Sequence, residues 1–468
     1  MKELPKDLAG CHKVIGELLE QVAVIPLLIE QIEELKSQIN QNSNNSHWPS
    51  SKDKHKNPRS KPAFPRKKGK RSGGQKGHTG KTLELVCAPD ELEIHNPKKC
   101  ICGTDLEHIR KYIDERRQVF DLPTPKLKVI EHISMSCSCP NCDRKVKGKF
   151  PELVKSRVQY GSGVQALSLM LNTSYKIPFA KVGRLFADLF GYKINDSTQI
   201  TIQKKGFGLL EKPEDKIKEA LLNSPVGHVD ETGVNVNGKN NWLHGFTSPM
   251  YTYLFAHSNR GKKAIDSSKS IVPTYKGWMI HDCWQSYFKY KNARHALCGC
   301  HLLRELQALI EKDSVWAKRM HSLLLYAYHQ SDQGKNVVTD YKKIEREYRR
   351  ICKMANEEEP PPKIRYKGKK PKKTKGRNLY DRLEEHESAV LAFAKHEEVP
   401  FTNNQGERDL RPAKGKLKIA GCFRTFTGLE IYARVQSFVS TTRKHQRNVF
   451  DELVATFENK NFLTFQRT

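Results

Sequence analysis

A run of β-type sequence between residues 225 and 290 constrains the fold more than any other part of the chain. An apolar strand begins at VGHV (226–229), and Asn237-Gly238 is the dipeptide of a two-residue hairpin turn. NWLHGFTS and MYTYLFAHS predict a second and a third strand, RGKKAIDSSKSIVPTY a crossover helix, and GWMIHDCWQSYF a short fourth strand. The order hairpin, third strand, helix and fourth strand predicts an α/β fold built on a mixed sheet.

Two aspartates follow predicted strands: Asp230 follows the start of the first strand, and Asp282 lies at the end of the fourth. A strand reached through a crossover helix pairs parallel to its partner. If the fourth strand lies beside the first, both carboxylates therefore project from neighbouring strands. Such a pair suits two-metal chemistry, with ions about 3.5–4 Å apart, and a third acid from a helix would complete it. Adjacent strand residues face opposite sides, so only one of Asp230 and Glu231 is expected to point into such a site.

Helices are predicted on both sides of this β region. Residues 296–395 are mainly helical, interrupted by a basic, proline-bearing segment from about 357 to 377, and further helices are predicted at 429–443 and 447–458. Residues 160–210 contain three helices; the second ends at Gly191, and Asp196 or Ser197 is expected to cap the third. Two helices joined by a short turn are typical of a helix-turn-helix DNA reader, but they also occur in any helical bundle, and both interpretations stay open.

The charge balance indicates the class of partner. The chain has 82 basic and 52 acidic residues, a net charge of +30, and such an excess points to a polyanion, of which nucleic acid is the commonest. A membrane surface is the weaker alternative, because no apolar run approaches the length of a spanning helix. The N-terminal sequence has no apolar signal core, so we expect a cytosolic, nucleoid-associated protein.

Two basic segments are candidates for contacts with the phosphate backbone. Between Lys52 and Lys81 there are 12 Lys or Arg residues and one acid, and residues 363–377 hold nine basic residues and no acid. Segments of this composition do not pack, and they neutralise phosphates without reading sequence; a merely solubilising role is the alternative. The candidate DNA-binding residues of these segments are Arg66, Lys67, Lys68, Lys70, Arg71, Lys369, Lys370, Lys372 and Lys373.

The N-terminal 45 residues carry apolar side chains at near-heptad spacing. These are Leu18, Val22, Ile25, Ile29, Ile32, Leu35 and Ile39. The spacing favours either a short dimerising coiled coil or one amphipathic helix packed on its own chain. Pro26 lies inside the pattern and is expected to kink such a helix.

Five of the 12 cysteines lie between Cys100 and Cys142. In a reducing compartment such a cluster indicates a metal site rather than disulfides. Cys139 and Cys142 form a C-x-x-C pair, whereas Cys100 and Cys102 form a C-x-C pair that is one residue short of the usual spacing. We predict that these four bind a structural Zn²⁺, with Cys137 and His95 as spare candidates; a degenerate finger without zinc is the alternative.

Three acidic motifs, in order, resemble those of the insertion-sequence-66 family of transposases. They are HVDET (228–232), HDCW (281–284) and NNQGER (403–408), and the stretch GCFRTFTGLEIYARVQSFVSTTRKH (421–445) is also similar to that family. The resemblance implies a ribonuclease-H-like catalytic domain of the DDE type, with Asp230, Asp282 and Glu407 as its metal-binding catalytic acids. It also implies a largely helical insertion in the 125 residues from Asp282 to Glu407.

The resemblance further implies a DNA transposase that binds the ends of its own element. With Mg²⁺ or Mn²⁺ it would hydrolyse a phosphodiester and join the freed end to target DNA, as a homo-oligomer, with accessory proteins of the same element as possible partners. Arg408 and Arg411 are candidate phosphate contacts, since guanidinium groups bind phosphate in a bidentate manner. The alternatives are a non-catalytic or domesticated DNA-binding relative and a structure-specific nuclease of the same fold.

The stretch CGCH (298–301) is similar to a Cys-x-x-His-containing part of that family, which selects Cys298 and His301. Four roles stay open: orienting the catalytic strands, handling DNA near the cut, binding a metal, or serving as a buried Cys and a capping His.

These observations divide the chain into six regions. They are a zipper-like helix (1–45), a basic linker (46–90), a zinc-binding module (91–150), a helical DNA-binding region (151–222), the catalytic domain (223–428, with its insertion at about 296–400) and C-terminal helices (429–468).

Overall fold

The computed structural model describes residues 7–42, 45–46, 83–332, 336–362 and 373–464. These residues form two compact units. The larger lies within residues 1–65, 151–183 and 194–468, and the smaller within residues 66–150 and 184–193.

The secondary structure is mainly helical, with two groups of strands. In chain order the elements are α1 (Leu8–Ile39), β1 (Ser136–Ser138), β2 (Lys145–Lys147), α2 (Ser162–Thr173), α3 (Phe179–Phe190), α4 (Asp196–Leu209), α5 (Glu211–Leu222), β3 (Val226–Val236), β4 (Lys239–Thr247), β5 (Thr252–His257), α6 (Lys262–Ile265), β6 (Trp278–His281), β7 (Arg294–Leu297), α7 (Gly299–Ile310), α8 (Val315–Gln330), α9 (Tyr341–Glu358), α10 (Lys375–Glu385), α11 (Glu387–Val390), α12 (Ala392–Lys395), α13 (Asn404–Ala420), α14 (Phe426–Lys444) and α15 (Val449–Phe457).

Five strands of the larger unit form one mixed sheet in the order β5-β4-β3-β6-β7. The hairpin prediction is confirmed, because β3 and β4 pair antiparallel around Asn237-Gly238, both of which have positive φ angles (46° and 80°). The predicted parallel pairing is also confirmed: β6 lies beside β3 and runs parallel to it. The sheet order and the surrounding helices are compatible with a ribonuclease-H-like domain.

Two predictions about this region are wrong. The segment between β5 and β6 is not a crossover helix; it holds the one-turn helix α6 and a short 3₁₀ turn, Val272–Thr274. Its serine-rich sequence has no continuous apolar face, and Pro273 breaks any helix that would continue. The helical insertion also begins later than residue 296, because residues Arg294–Leu297 form a fifth strand, parallel to β6.

The two faces of the sheet pack on different cores. On one face, Val234, Leu243 and Leu254 pack with side chains of α13 and α14, such as Leu410 and Leu429. The opposite face carries an aromatic core, which includes Phe246, Tyr253, Phe255 and Tyr275. Alternate residues of β3 therefore point into different environments, as the two-residue period of a strand requires.

The helical insertion between β7 and α13 is confirmed. Helices α7 to α12 surround a core whose largest fully buried members include Trp316 and Tyr348. The C-terminal helices predicted at 429–443 and 447–458 correspond to α14 and α15. Gly191 has a positive φ (71°) directly after α3, as expected of a residue that ends a helix. The capping prediction is wrong, because α4 begins at Asp196 and no side chain caps it.

Helix α1 runs without a break through position 26, and the kink expected there stays a prediction. Its heptad-like apolar side chains, such as Leu18, Ile25 and Ile32, are about half exposed (52%, 48% and 50%). The described apolar side chains of α1 are therefore not packed on a core of the same molecule. Dimerisation through this helix stays a prediction. None of the helices within the described residues is long and apolar enough to cross a membrane.

Candidate active site

The sheet register brings the two aspartates to neighbouring positions. Strand β3 pairs with β6 from Val226 opposite Trp278 to His228 opposite Ile280. Extending this register by two residues sets Asp230, in the middle of β3, opposite Asp282, which directly follows the end of β6. Both residues are half-buried. The main-chain N–H of Trp284 donates to Asp282 Oδ1 (3.1 Å), which fixes the orientation of that carboxylate.

Glu231 is held on the other face of β3. Its side chain is 2% exposed, accepts a charge-assisted hydrogen bond from Arg260 Nε (2.8 Å) and forms an ion pair with Arg260 Nη2 (2.7 Å), both at Oε1. The Tyr287 hydroxyl donates to its second oxygen at 2.6 Å. Both carboxylate oxygens of Glu231 are thus already bonded, whereas Asp230 lies on the face that carries α13.

The third acid, Glu407, lies in the first turn of α13, and Asn403 fixes where that helix begins. Asn403 is 1% exposed; its amide nitrogen donates to Val229 O (2.8 Å) and its Oδ1 accepts from His228 Nδ1 (2.9 Å). Its main-chain N–H donates to Cys298 Sγ (3.1 Å). Two of these bonds attach the start of α13 to the two residues of β3 that immediately precede Asp230, and the third attaches it to the start of α7.

Glycine at position 406 allows the helix to lie this close to the strand. A Cβ at Gly406 would be 3.4 Å from the Cβ of Asp230 and 3.1 Å from Asn403 Oδ1. Any larger side chain would push the first turn of α13 away from β3, and Glu407 would move with it.

The electrostatics of the site indicate a deficit of positive charge. Burial, followed by repulsion from Glu231, Asp282 and Glu407, raises the pKa of Asp230 well above its usual range. Glu407 Oε1 is buried and has no hydrogen-bond partner among the described residues. A group of oxygen ligands with too little neutralising charge fits a hard divalent cation such as Mg²⁺ or Mn²⁺.

Within the residues that the structure describes, no three His, Cys, Asp or Glu side chains are gathered closely enough to hold a metal ion. The three acids lie on neighbouring elements of the fold. Their carboxylates would have to move closer together to share a metal ion.

Cys298 and His301 lie directly beside this site. Cys298 is 1% exposed and precedes α7, and hydrogen bonds, above all from Cys300, hold the pKa of its thiol well below the usual range. His301 Nε2 is 3.9 Å from Glu407 Oε1. Burial opposes charge on His301, but the neighbouring Cys298 raises the pKa of the imidazole to about 9. Because Cys298 also accepts the Asn403 N–H, these contacts favour the orienting role among the four hypotheses for this pair.

Three of the candidate phosphate contacts lie within the described residues, and the others lie outside them. Arg408 is exposed, and Arg411, whose side chain is 73% exposed, lies 3.7 Å from Glu407 Oε2. Lys373 is ion-paired with Asp381 (2.6 Å). The other candidates lie outside the described residues: Arg66, Lys67, Lys68, Lys70, Arg71, Lys369, Lys370 and Lys372.

In the smaller unit the four cysteines predicted to bind zinc form two separate pairs, Cys100 with Cys102 and Cys139 with Cys142. Cys139 and Cys142 flank a turn that closes through Asp143 N to Cys139 O (2.9 Å), next to the two-stranded β1–β2 ribbon. Hydrogen bonds from Thr104, and then from Cys100, lower the pKa of the Cys102 thiol to about 7. Lowered pKa values suit metal-binding thiolates, but the two pairs are not brought together in this part of the chain, and zinc binding stays a prediction.

Sequence reasoning missed Asn403 and Arg260. Asn403 is part of the NNQGER motif, but only its contacts with β3 reveal what it does. Arg260 lies in an ordinary basic loop after β5, and no spacing links it to Glu231.

Comparison with known proteins identifies the family of the chain. The family described as Transposase IS66 family matches residues 157–431, more than half of the chain, including all three acids. A family of unknown function (DUF6444) matches residues 10–84. No curated protein matches the chain. The chain therefore belongs to the IS66 family of transposases.

Proposed function

We propose that this protein is a DNA transposase of the DDE type, which cuts DNA at the ends of its element and joins them to target DNA. The observation that carries the proposal is the meeting of three elements at one point. Asp230 within β3 and Asp282 directly after β6 lie on neighbouring parallel strands, and Asn403 holds the first turn of α13, with Glu407, against Asp230. Phosphodiester transfer needs such a group of oxygen ligands, because the scissile phosphate is anionic and repels a nucleophile.

Asp230, Asp282 and Glu407 would hold the metal ions, which when bound neutralise the phosphate and activate a water or a 3'-hydroxyl. The protein's own contribution is positioning. The Trp284 N–H orients Asp282, and Asn403 with Gly406 keeps Glu407 beside Asp230.

Arg408 and Arg411 are exposed on the same helix, one and four residues after Glu407. They are suited to bind the phosphates that flank the cut, since guanidinium groups pair with phosphate oxygens. The basic segments at 52–81 and 363–377 would hold DNA farther from the cut through charge alone.

The test is cleavage and joining of labelled element ends with Mg²⁺ or Mn²⁺. The variants Asp230→Asn, Asp282→Asn and Glu407→Gln are expected to lose at least about a hundredfold in cleavage rate, because each removes charge stabilisation from the transition state. Glu430→Gln is the matched control: its side chain is 28% exposed, against 22% for Glu407, but it pairs with Lys269.

The outcomes also separate the alternatives. Cleavage without joining would identify a nuclease, and DNA binding without cleavage would identify a non-catalytic relative. Wild-type activity in all three carboxylate variants would refute the assignment of the site.

A further inference from the structure

One cluster of planar side chains lies beside the carboxylates but has no part in the function proposed above. The guanidinium carbon of Arg260 lies over the ring of Trp242 at 5.1 Å and over the ring of Trp284 at 4.7 Å. Trp242 belongs to β4, Arg260 to the loop after β5, and Trp284 to the loop after β6. We call these three residues the Arg260 cluster.

The buried carboxylate of Glu231 fixes the plane of the Arg260 guanidinium. Arg260 Nε donates a hydrogen bond to Glu231 Oε1 and Nη2 lies 2.7 Å from the same oxygen, while the Tyr287 hydroxyl donates to the other oxygen of Glu231. Glu231 is almost fully buried, whereas the side chain of Arg260 is 44% exposed. The arginine thus connects a buried carboxylate with the surface, and its orientation is set before any ligand arrives.

Neutralisation of Glu231 does not by itself account for the two indoles. Both are only partly buried, although tryptophan contributes most to stability when it is buried in a core. Partly exposed aromatic rings beside a positive charge are suited to bind unpaired bases, because every base offers a π-face to stack on. Arginine adds cation–π attraction and a positive charge for the adjoining phosphate.

The cluster is tied to the candidate active site through the main chain. Trp284 follows Asp282 by two residues, and its N–H bonds to the Asp282 carboxylate. Glu231, which holds Arg260, adjoins Asp230 on β3. Although Glu231 and Asp230 point to opposite faces of β3, the Asp282 carboxylate interacts electrostatically with Arg260 and lies two residues before Trp284, so an unpaired end of DNA whose scissile phosphate lies at the carboxylates would reach the cluster around the end of β6.

We propose that the Arg260 cluster is a stacking site for an unpaired nucleobase of the DNA close to the cleaved phosphate. This inference rests on the proposed function, because it assumes that DNA lies at the carboxylates. The competing explanation is that Arg260 only contacts a phosphate. The two differ in one respect: stacking requires the base, whereas a phosphate contact does not.

The experiment compares two fluorescently labelled single strands of equal length, oligothymidylate and a fully abasic strand, binding to the full chain. Anisotropy titrations are made in EDTA at moderately high salt, so that phosphate contacts are weakened and no cleavage occurs. The wild type is expected to bind oligothymidylate about 5- to 100-fold more tightly than the abasic strand, the range that stacking of one base corresponds to.

Trp284→Ala is expected to remove most of this preference while leaving affinity for the abasic strand nearly unchanged, which also shows that the variant is folded. Trp284→Phe keeps an aromatic ring and is expected to retain most of the preference. Arg260→Lys keeps the charge but loses the plane, so the preference should fall. Arg294→Lys is the matched control, because Arg294 lies over Trp278 (4.6 Å) where β6 and β7 begin, at the opposite end of the strands.

Equal binding of the two strands by the wild type, no binding at all, or a preference that Trp284→Ala leaves intact would overturn the inference. Its failure is distinguishable from failure of the proposed function. The titrations need no metal or cleavage, whereas the proposed function is tested by cleavage and its loss in the carboxylate variants.

Discussion

The contacts of Asn403 lead to a quantitative prediction for Asn403→Ala. The substitution removes the bonds to Val229 O and His228 Nδ1, whose residues are 2% and 4% exposed. A buried polar group left without its partner costs about 1–3 kcal/mol. Losing both bonds should therefore lower the free energy of unfolding by about 2–6 kcal/mol.

The loss of activity should exceed what this destabilisation explains. Without the two bonds, the first turn of α13 is no longer held against β3, and Glu407 moves relative to Asp230. A misplacement of about 1 Å can reduce the rate of a positioned reaction by about a hundredfold. We therefore expect cleavage to fall by about that factor under conditions in which the variant is still folded.

Asn172→Ala is the matched control. Asn172 is also buried (6% exposed), and its side chain donates to Ile177 O (2.8 Å) and accepts from Gln203 Nε2 (2.6 Å) and from Lys416 Nζ (3.0 Å), which lies on α13 well beyond the first turn that carries Glu407. Unfolding in urea followed by circular dichroism gives the stability of each variant, and cleavage of labelled element ends gives its activity. If both variants lose similar stability and Asn403→Ala still cleaves at the wild-type rate, Asn403 only stabilises the fold and the argument for its positioning role fails.

Three further predictions concern packing, zinc and assembly. Gly299→Ala should lower the free energy of unfolding in urea by about 1–3 kcal/mol, because its Cβ would overlap the ring of Phe401. Gly163→Ala, with open space around it, should not lower that free energy, and equal stabilities of the two variants would contradict this packing. Cys142→Ser should lower the zinc content measured by mass spectrometry, whereas Cys87→Ser should not; identical contents would argue against the ligand set. Ile25→Asp should lower the molar mass found by light scattering if α1 forms a coiled coil, and an unchanged oligomer would exclude that interface.

The sheet could be predicted from the sequence because its determinants are local. The Asn237-Gly238 turn fixes the register of β3 and β4, and the two-residue period then decides which face each side chain takes. The same period separates Asp230 from Glu231. Strand β7 could not be predicted in this way, because four residues are too few to establish a period and its pairing with β6 is a long-range contact.

Glu407 could not be selected from periodicity or spacing. It lies 125 residues beyond Asp282, after a helical insertion with a core of its own. What brings it to Asp230 is the burial of Asn403 against β3 and the absence of a side chain at Gly406. Neither contact leaves a trace in the hydrophobic pattern, so only the resemblance of the NNQGER motif could point to this glutamate.

The adjacent acids of β3 show how one strand can serve two chemical purposes. Asp230 faces α13 and two further acids, and burial and this repulsion raise its pKa, so it is suited to share a cation. Glu231 faces the other way. Arg260 neutralises one of its oxygens, and the Tyr287 hydroxyl donates a hydrogen bond to the other. An unneutralised Glu231 would be a fourth acid competing for metal ions from the wrong side of the sheet. By binding Arg260 it instead removes that competition, and in the same contact it fixes the plane on which we expect a base to stack.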